Sequence, residues 1–453
     1  MSRYNFVVIS RQESVLLRVE EVATSKNFLC KTYISFAEMS LDPIEISPVS
    51  VIILDTRYSG FNAETAIKNV RSVGPTSRII GIFADPVDIK KTTELKRFGL
   101  DFLLLEKELF GSLKFEFVVS QVLSGSYYGV PVSAFGEGAV LSFPLFHFMP
   151  INRKFIPFLP AGRELTAEKV KAIASADAIY LKRENAGDYM AWILARGESA
   201  QDLQTGANFL AFSVAYFELM MSLSDQIGES NFAEGQKLYE RCLHLTGEML
   251  RLLLLKNDLQ HPIRHGLALG NSIVDRAPVI AAYAGMLSHL TKVGDPREVM
   301  MACLMGGVAL LDFPTEIIDK VNSAGIDVLT AEQRNDYERY PYTSVYICGN
   351  RKIPLPEKVR NIIIHRHERA DRTGFPKKVL PGQIPHESFL IHFAGVIENL
   401  YRKKADFKTP FREMLVQEFD DLSPFYDKEY TTDFVKILQN TFQIKAKRLN
   451  RLK

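Results

Sequence analysis

Four short apolar runs near the start of the chain constrain its fold more than any other feature: Asn5–Ile9 (NFVVI), Val49–Leu54 (VSVIIL), Arg78–Phe83 (RIIGIF) and Phe102–Leu105 (FLLL). They lack the polar–apolar alternation of a strand with one wet face, which implies strands buried on both faces of a parallel sheet. Parallel strands need long crossovers, and the amphipathic stretches Ser14–Thr24 and Ala63–Val73 lie between the runs. Residues 1–126 are therefore expected to form a doubly wound α/β domain.

The length and order of this region resemble a response-regulator receiver domain. A receiver carries an acidic pair after its first strand, a phospho-accepting Asp after the third, a Ser or Thr after the fourth and a Lys after the fifth. Phosphoryl transfer onto a carboxylate needs a divalent cation to offset the accumulating negative charge. Asp55 stands at the acceptor position, but the acidic pair is replaced by Ser10 and Arg11, the hydroxyl position falls at Phe83 or Ala84, and the Lys position falls near Leu105 with Lys107 beyond it. Magnesium then has little to bind. Asp55 reads as a strand-end or capping carboxylate, and as a phospho-acceptor only secondarily.

At 453 residues the chain is too long for one ordinary core, so a multidomain protein is expected. Gly125–Gly138 (GSYYGVPVSAFGEG) has the composition of a linker. After it, residues 139–196 read as a small α+β module, with a strand over Val140–Met149, a helix over Thr166–Ser175 and a strand over Ala178–Lys182. Within it, Arg153 and Lys154 beside Phe155 read as a surface turn around a buried aromatic, with phosphate binding as the rival. Residues 200–453 read as all-α, opening with helices over Ala200–Leu259 that could also form a homodimer seam.

A net charge of +2 gives no bulk attraction to nucleic acid or anionic membrane, so no specific nucleic-acid partner is expected. Ala207–Met221 is shorter than the ~20 residues of a membrane span and carries Asn208 and Glu218, so no span is expected either. Cys30, Cys242, Cys303 and Cys348 are dispersed and form no CxxC pair, which fits thiols in a reducing cytoplasm.

The C-terminal half carries NDLQH at 257–261, ACLMGGVALLDFP at 302–314, LTAEQRNDYERYP at 329–341 and HRHERADRTGFPKKVL from His365. In that order, over about Asn257 to Asn440, these segments resemble the HD-GYP domain, a helical, metal-dependent cyclic di-GMP phosphodiesterase family. The resemblance implies metal ligands from an ExxxH helix, an HD dipeptide, an HP pair, an HHE run and a final Asp.

Here ExxxH becomes Asn257 and His261, HD becomes Gly306 and Gly307, and the lysine of DxGK falls at Leu310. The histidine of HP is Tyr340, HHE becomes Arg366, His367 and Glu368, and the final aspartate becomes Gly395. Asp371 is kept, and Gly374, Phe375 and Pro376 stand for GYP. His261 and His367 alone persist among the ligand positions, and Arg366 adds a fixed charge where a cation would sit. Two imidazoles cannot assemble a multi-metal site, so no metal cofactor and no hydrolysis by the family mechanism are expected. A rival arrangement keeps a residual or rewired phosphodiesterase: His265 lies one helical turn after His261, and His365 flanks His367, giving four histidines for a shifted single-metal site.

Basic residues crowd the Gly-Phe-Pro turn. Arg366, Arg369, Arg372, Lys377 and Lys378, with Phe375 to stack and with Arg402, Lys403, Lys404 and Lys408 downstream, could hold the phosphates and bases of cyclic di-GMP or another nucleotide. The competing reading is a solvated, charge-rich loop. Through the resemblance, the expected function is that of a catalytically inactive bacterial signalling protein, an adaptor or regulator that contacts other signalling proteins. A cyclic di-GMP-binding effector is the alternative.

Overall fold

A computed structural model of the chain describes residues 3–25, 29–42, 45–57, 62–74, 77–84, 94–122, 127–149, 154–174, 178–182, 185–195, 216, 219–220, 222–223, 231–255, 273–404 and 428–444. Two compact units emerge: Met1–Ala195 with Ser224–Glu229 and Leu311–Thr315, and Arg196–Leu223 with Ser230–Leu310 and Glu316–Lys453.

The first unit opens with a sheet of β1 (Arg3–Ile9), β2 (Cys30–Tyr33), β3 (Glu45–Asp55), β4 (Arg78–Phe83) and β5 (Phe102–Leu105), in the order β2-β1-β3-β4-β5. All neighbours pair in parallel. Helices α1 (Glu13–Ser25), α2 (Phe36–Leu41) and α3 (Ala63–Val73) provide crossovers. The Ser35 and Asn62 side chains cap α2 and α3 by accepting the Glu38 and Thr65 N–H groups. Val7, Ile9, Ile52, Leu54, Ile67, Val70 and Leu103 form one core. Two short helices follow, α4 (Glu106–Gly111) and α5 (Leu113–Val122).

Strand β2 escapes the apolar-run criterion because its CKTY sequence lies at the sheet edge, where only Tyr33 is buried. β3 begins at Glu45, upstream of the apolar run, and its pairing with β1 shifts register between Tyr4 and Phe6.

A second sheet has β6 (Tyr127–Pro131), β7 (Leu145–Met149), β8 (Lys154–Leu159) and β9 (Ala178–Lys182) in the antiparallel order β6-β9-β7-β8, with α6 (Ala167–Ile173) and α7 (Ala186–Leu194). The stretch read as a linker thus contains β6, an edge strand paired with β9. Val140, expected to begin a strand, makes an isolated bridge to Glu164 instead. Phe155 stacks on Tyr127 at 4.1 Å, while Arg153 lies outside the described residues.

The second unit is helical: α8 (Phe232–Leu255), α9 (Ile273–Thr291), α10 (Pro296–Met305), α11 (Thr315–Ala324), α12 (Ala331–Glu338), α13 (Tyr340–Asn350), α14 (Glu357–His365), α15 (His386–Lys404) and α16 (Thr432–Phe442). Asp295 caps α10 and Pro296 opens it, a pairing suited to a helix start. From Val299 to Met305 every residue of α10 is buried, so this helix is apolar all round and occupies the centre, against α9 and α14. Gly306 ends it. The buried Glu398 of α15 accepts Nε of Arg276 of α9 at 2.8 Å. Among the described residues no helix is long and apolar enough to cross a membrane.

Candidate functional site

The residues singled out around the Gly-Phe-Pro turn meet where α14 ends, beside the corner after α10 and the start of α13. Arg366 follows the last turn of α14, and the chain then doubles back so that His367 and Phe375 form an antiparallel bridge, with Phe375 N–H donating to the His367 carbonyl at 3.1 Å. A Cβ on Gly374 would stand 2.4 Å from the His367 carbonyl oxygen and 2.5 Å from the Arg369 nitrogen, so only glycine fits this close backbone approach. The Phe375–Pro376 peptide is cis.

The His367 ring is held by two aromatic side chains. One face stacks on Phe375, with centroids 4.6 Å apart and planes 14° apart, and Nε2 is hydrogen-bonded to the Tyr340 hydroxyl. Tyr337 closes the cluster 5.3 Å from Tyr340 and 6.1 Å from Phe375. Burial, reinforced by the positive fields of Arg366, His392 and Arg369, holds the imidazole well below its usual pKa, so His367 is neutral at pH 7. Burial likewise raises the Tyr340 and Tyr337 phenols and pushes the Cys303 thiol up to about 11.

Arg366 turns inward. Its Nε and Nη1 atoms are fully buried without a hydrogen-bond partner, and Nη1 lies 2.7 Å from where a Cβ on Gly306 would be. Glycine at 306 is what makes room for the guanidinium. The corner itself is fastened by Ser344, whose hydroxyl donates to the Gly306 carbonyl at 3.0 Å and accepts the Ala309 N–H at 3.2 Å.

Glu368 is buried and faces the other way, accepting the backbone N–H groups of Lys377 at 2.6 Å, Lys378 at 3.1 Å and Val379 at 3.3 Å. It shapes the loop. Asp371 accepts the Thr373 N–H and hydroxyl; burial opposes its ionisation, but these bonds with Arg369 and Lys428 prevail and its pKa falls. His365 has Nδ1 2.8 Å from the Asn361 carbonyl, a contact within its own helix.

Among the described side chains the basic residues of the turn do not gather into one free patch. Arg369 pairs with Glu429 at 3.6 Å, and Glu429 also meets His392 at 3.4 Å. Arg372, at φ 65°, donates to the Lys378 carbonyl, and Lys377 sits 5.5 Å over the Tyr342 ring. Phe375 is buried with one ring face already covered. Arg402 and Lys404 fall in the last turns of α15. Asn257, His261, His265 and Lys408 lie outside the described residues. Around a Cβ on Gly395 there is open space. Among the described residues no group of three or more His, Cys, Asp or Glu side chains could hold a metal ion.

Two features were missed from sequence: the Tyr340–His367 hydrogen bond and the inward turn of Arg366. Their signal was present as two pairs of residue types, a phenol at 340 with an imidazole at 367 and a glycine at 306 with a long cation at 366.

In the first unit, Asp55 ends β3 beside the end of β1, where the strand order reverses and open α/β sheets form their crevice. Its buried carboxylate accepts the Ser10 hydroxyl at 2.7 Å and Arg57 Nε and Nη2 at 2.8 and 2.9 Å. Gln12 and Glu106 flank the same guanidinium. Lys107 is exposed.

Comparison with curated proteins returns no match. Among solved structures, Bd1817, described as an HDG"Y"P protein from Bdellovibrio bacteriovorus, aligns at 14% identity and a TM-score of 0.43, over 70% of this chain and 99% of that one. The match that falls on the site itself is to the HD domain family, over residues 253–413.

Proposed function

We propose that the chain is a signalling protein whose HD-GYP-like domain no longer hydrolyses phosphodiesters and acts as an adaptor or regulator through protein–protein contacts. The observation that carries the reading is the filling of the site by the protein's own groups: the Tyr340 hydroxyl on Nε2 of His367 and the Arg366 guanidinium against Gly306. Metal-assisted hydrolysis needs free lone pairs around the ion. His367 has its Nε2 engaged, Glu368 is occupied by three N–H groups, and Arg366 offers no lone pair. A divalent ion about 4 Å from the guanidinium would be repelled by roughly 8 kcal/mol at an effective dielectric of about 20. The capture of Asp55 by Arg57 supports a receiver-like unit that takes no phosphoryl group.

The test is turnover of a model phosphodiester and of cyclic di-GMP by the full chain with added manganese or iron. No turnover above background is expected, together with metal well below one equivalent. Activity that co-purifies with the chain and vanishes in His367→Ala would overturn the reading. For the adaptor role, affinity capture from the native host with the intact chain should return the same signalling partner reproducibly.

A second reading, a cyclic di-GMP or nucleotide effector, draws on Arg369, Arg372 and Lys377 beside the site. Calorimetric titration with cyclic di-GMP separates the two.

A further inference from the structure

We draw no further inference here: the strongest candidate, the aromatic face of the second sheet, where Tyr127, Phe146, Phe148, Phe155 and Tyr180 pack on one another, is an apolar face, and nothing in the structure shows what covers it.

Discussion

Nη1 of Arg366 lies 2.7 Å from where a Cβ on Gly306 would stand, so a side chain at 306 would have to displace the guanidinium. Gly306→Ala should therefore destabilise the chain by about 1–3 kcal/mol. Part of that cost should vanish when Arg366→Met removes the guanidinium, giving a coupling energy on the order of 0.5–3 kcal/mol in urea unfolding. Some cost will remain, since the same Cβ would lie 2.6 Å from the Ala302 carbonyl oxygen. Strictly additive substitutions would show that the two positions do not share space.

Neutral His367 makes stability depend on pH. Its folded-state pKa lies below the unfolded value of about 6.5, so the unfolded chain binds a proton that the folded one refuses. Stability should fall as pH drops below that value, by up to about 1.4 kcal/mol per unit. The lowered carboxyls Asp371 and Glu429 also favour the folded state at neutral pH, but their contribution is lost only as pH falls below their unfolded values of about 4. His367 contributes between pH 6.5 and about 5, where the Asp312 carboxyl, raised by burial, acts with the opposite sign; His367→Gln should therefore change the slope by the share that falls to the imidazole. An unchanged slope would place the titration elsewhere.

Glu368 gives one carboxylate to three successive N–H groups. Glu368→Gln should cost about 1.5–3 kcal/mol. Hydrogen exchange at Lys377, Lys378 and Val379 should accelerate more than exchange in α10. If those amides stay protected, the loop is held by something other than the carboxylate.

Asp55 and Arg57 are buried together, with side-chain exposures of 0% and 5%. Asp55→Asn leaves a guanidinium short of its partner and should cost about 3–5 kcal/mol, partly recovered in Asp55→Asn/Arg57→Met. Incubating wild type with a phosphoryl donor and magnesium should leave its intact mass unchanged. A phosphoryl adduct mapped to Asp55 would refute the structural role.

Much of this was legible in the sequence for one reason: burial leaves a compositional trace. The apolar runs at β1, β3, β4 and β5 announce themselves because both faces of those strands are covered. β2 and β6 lie at sheet edges; in β2 the half-exposed Lys31 and Thr32 erase the signal, and β6 reads Tyr-Tyr-Gly-Val-Pro, with no apolar run. The residue types at Gly306, Gly307, Tyr340 and Gly395 could be read one by one. Which basic residue turns inward could not, because Arg366, Arg369 and Arg372 look alike in one dimension and only the end of α14 decides their directions. Glu368 was equally opaque, since the N–H groups it gathers arrive nine to eleven residues later.

Arg57 also bears on how the N-terminal unit can be tuned. Its positive charge is delivered by translation at fixed stoichiometry and is tethered two residues from the carboxylate it neutralises. No chelator can strip it and no shift in cellular metal supply can dilute it. Control of that crevice would have to come by competition for Asp55, Gln12 or Glu106, the three groups that hold the arginine in place.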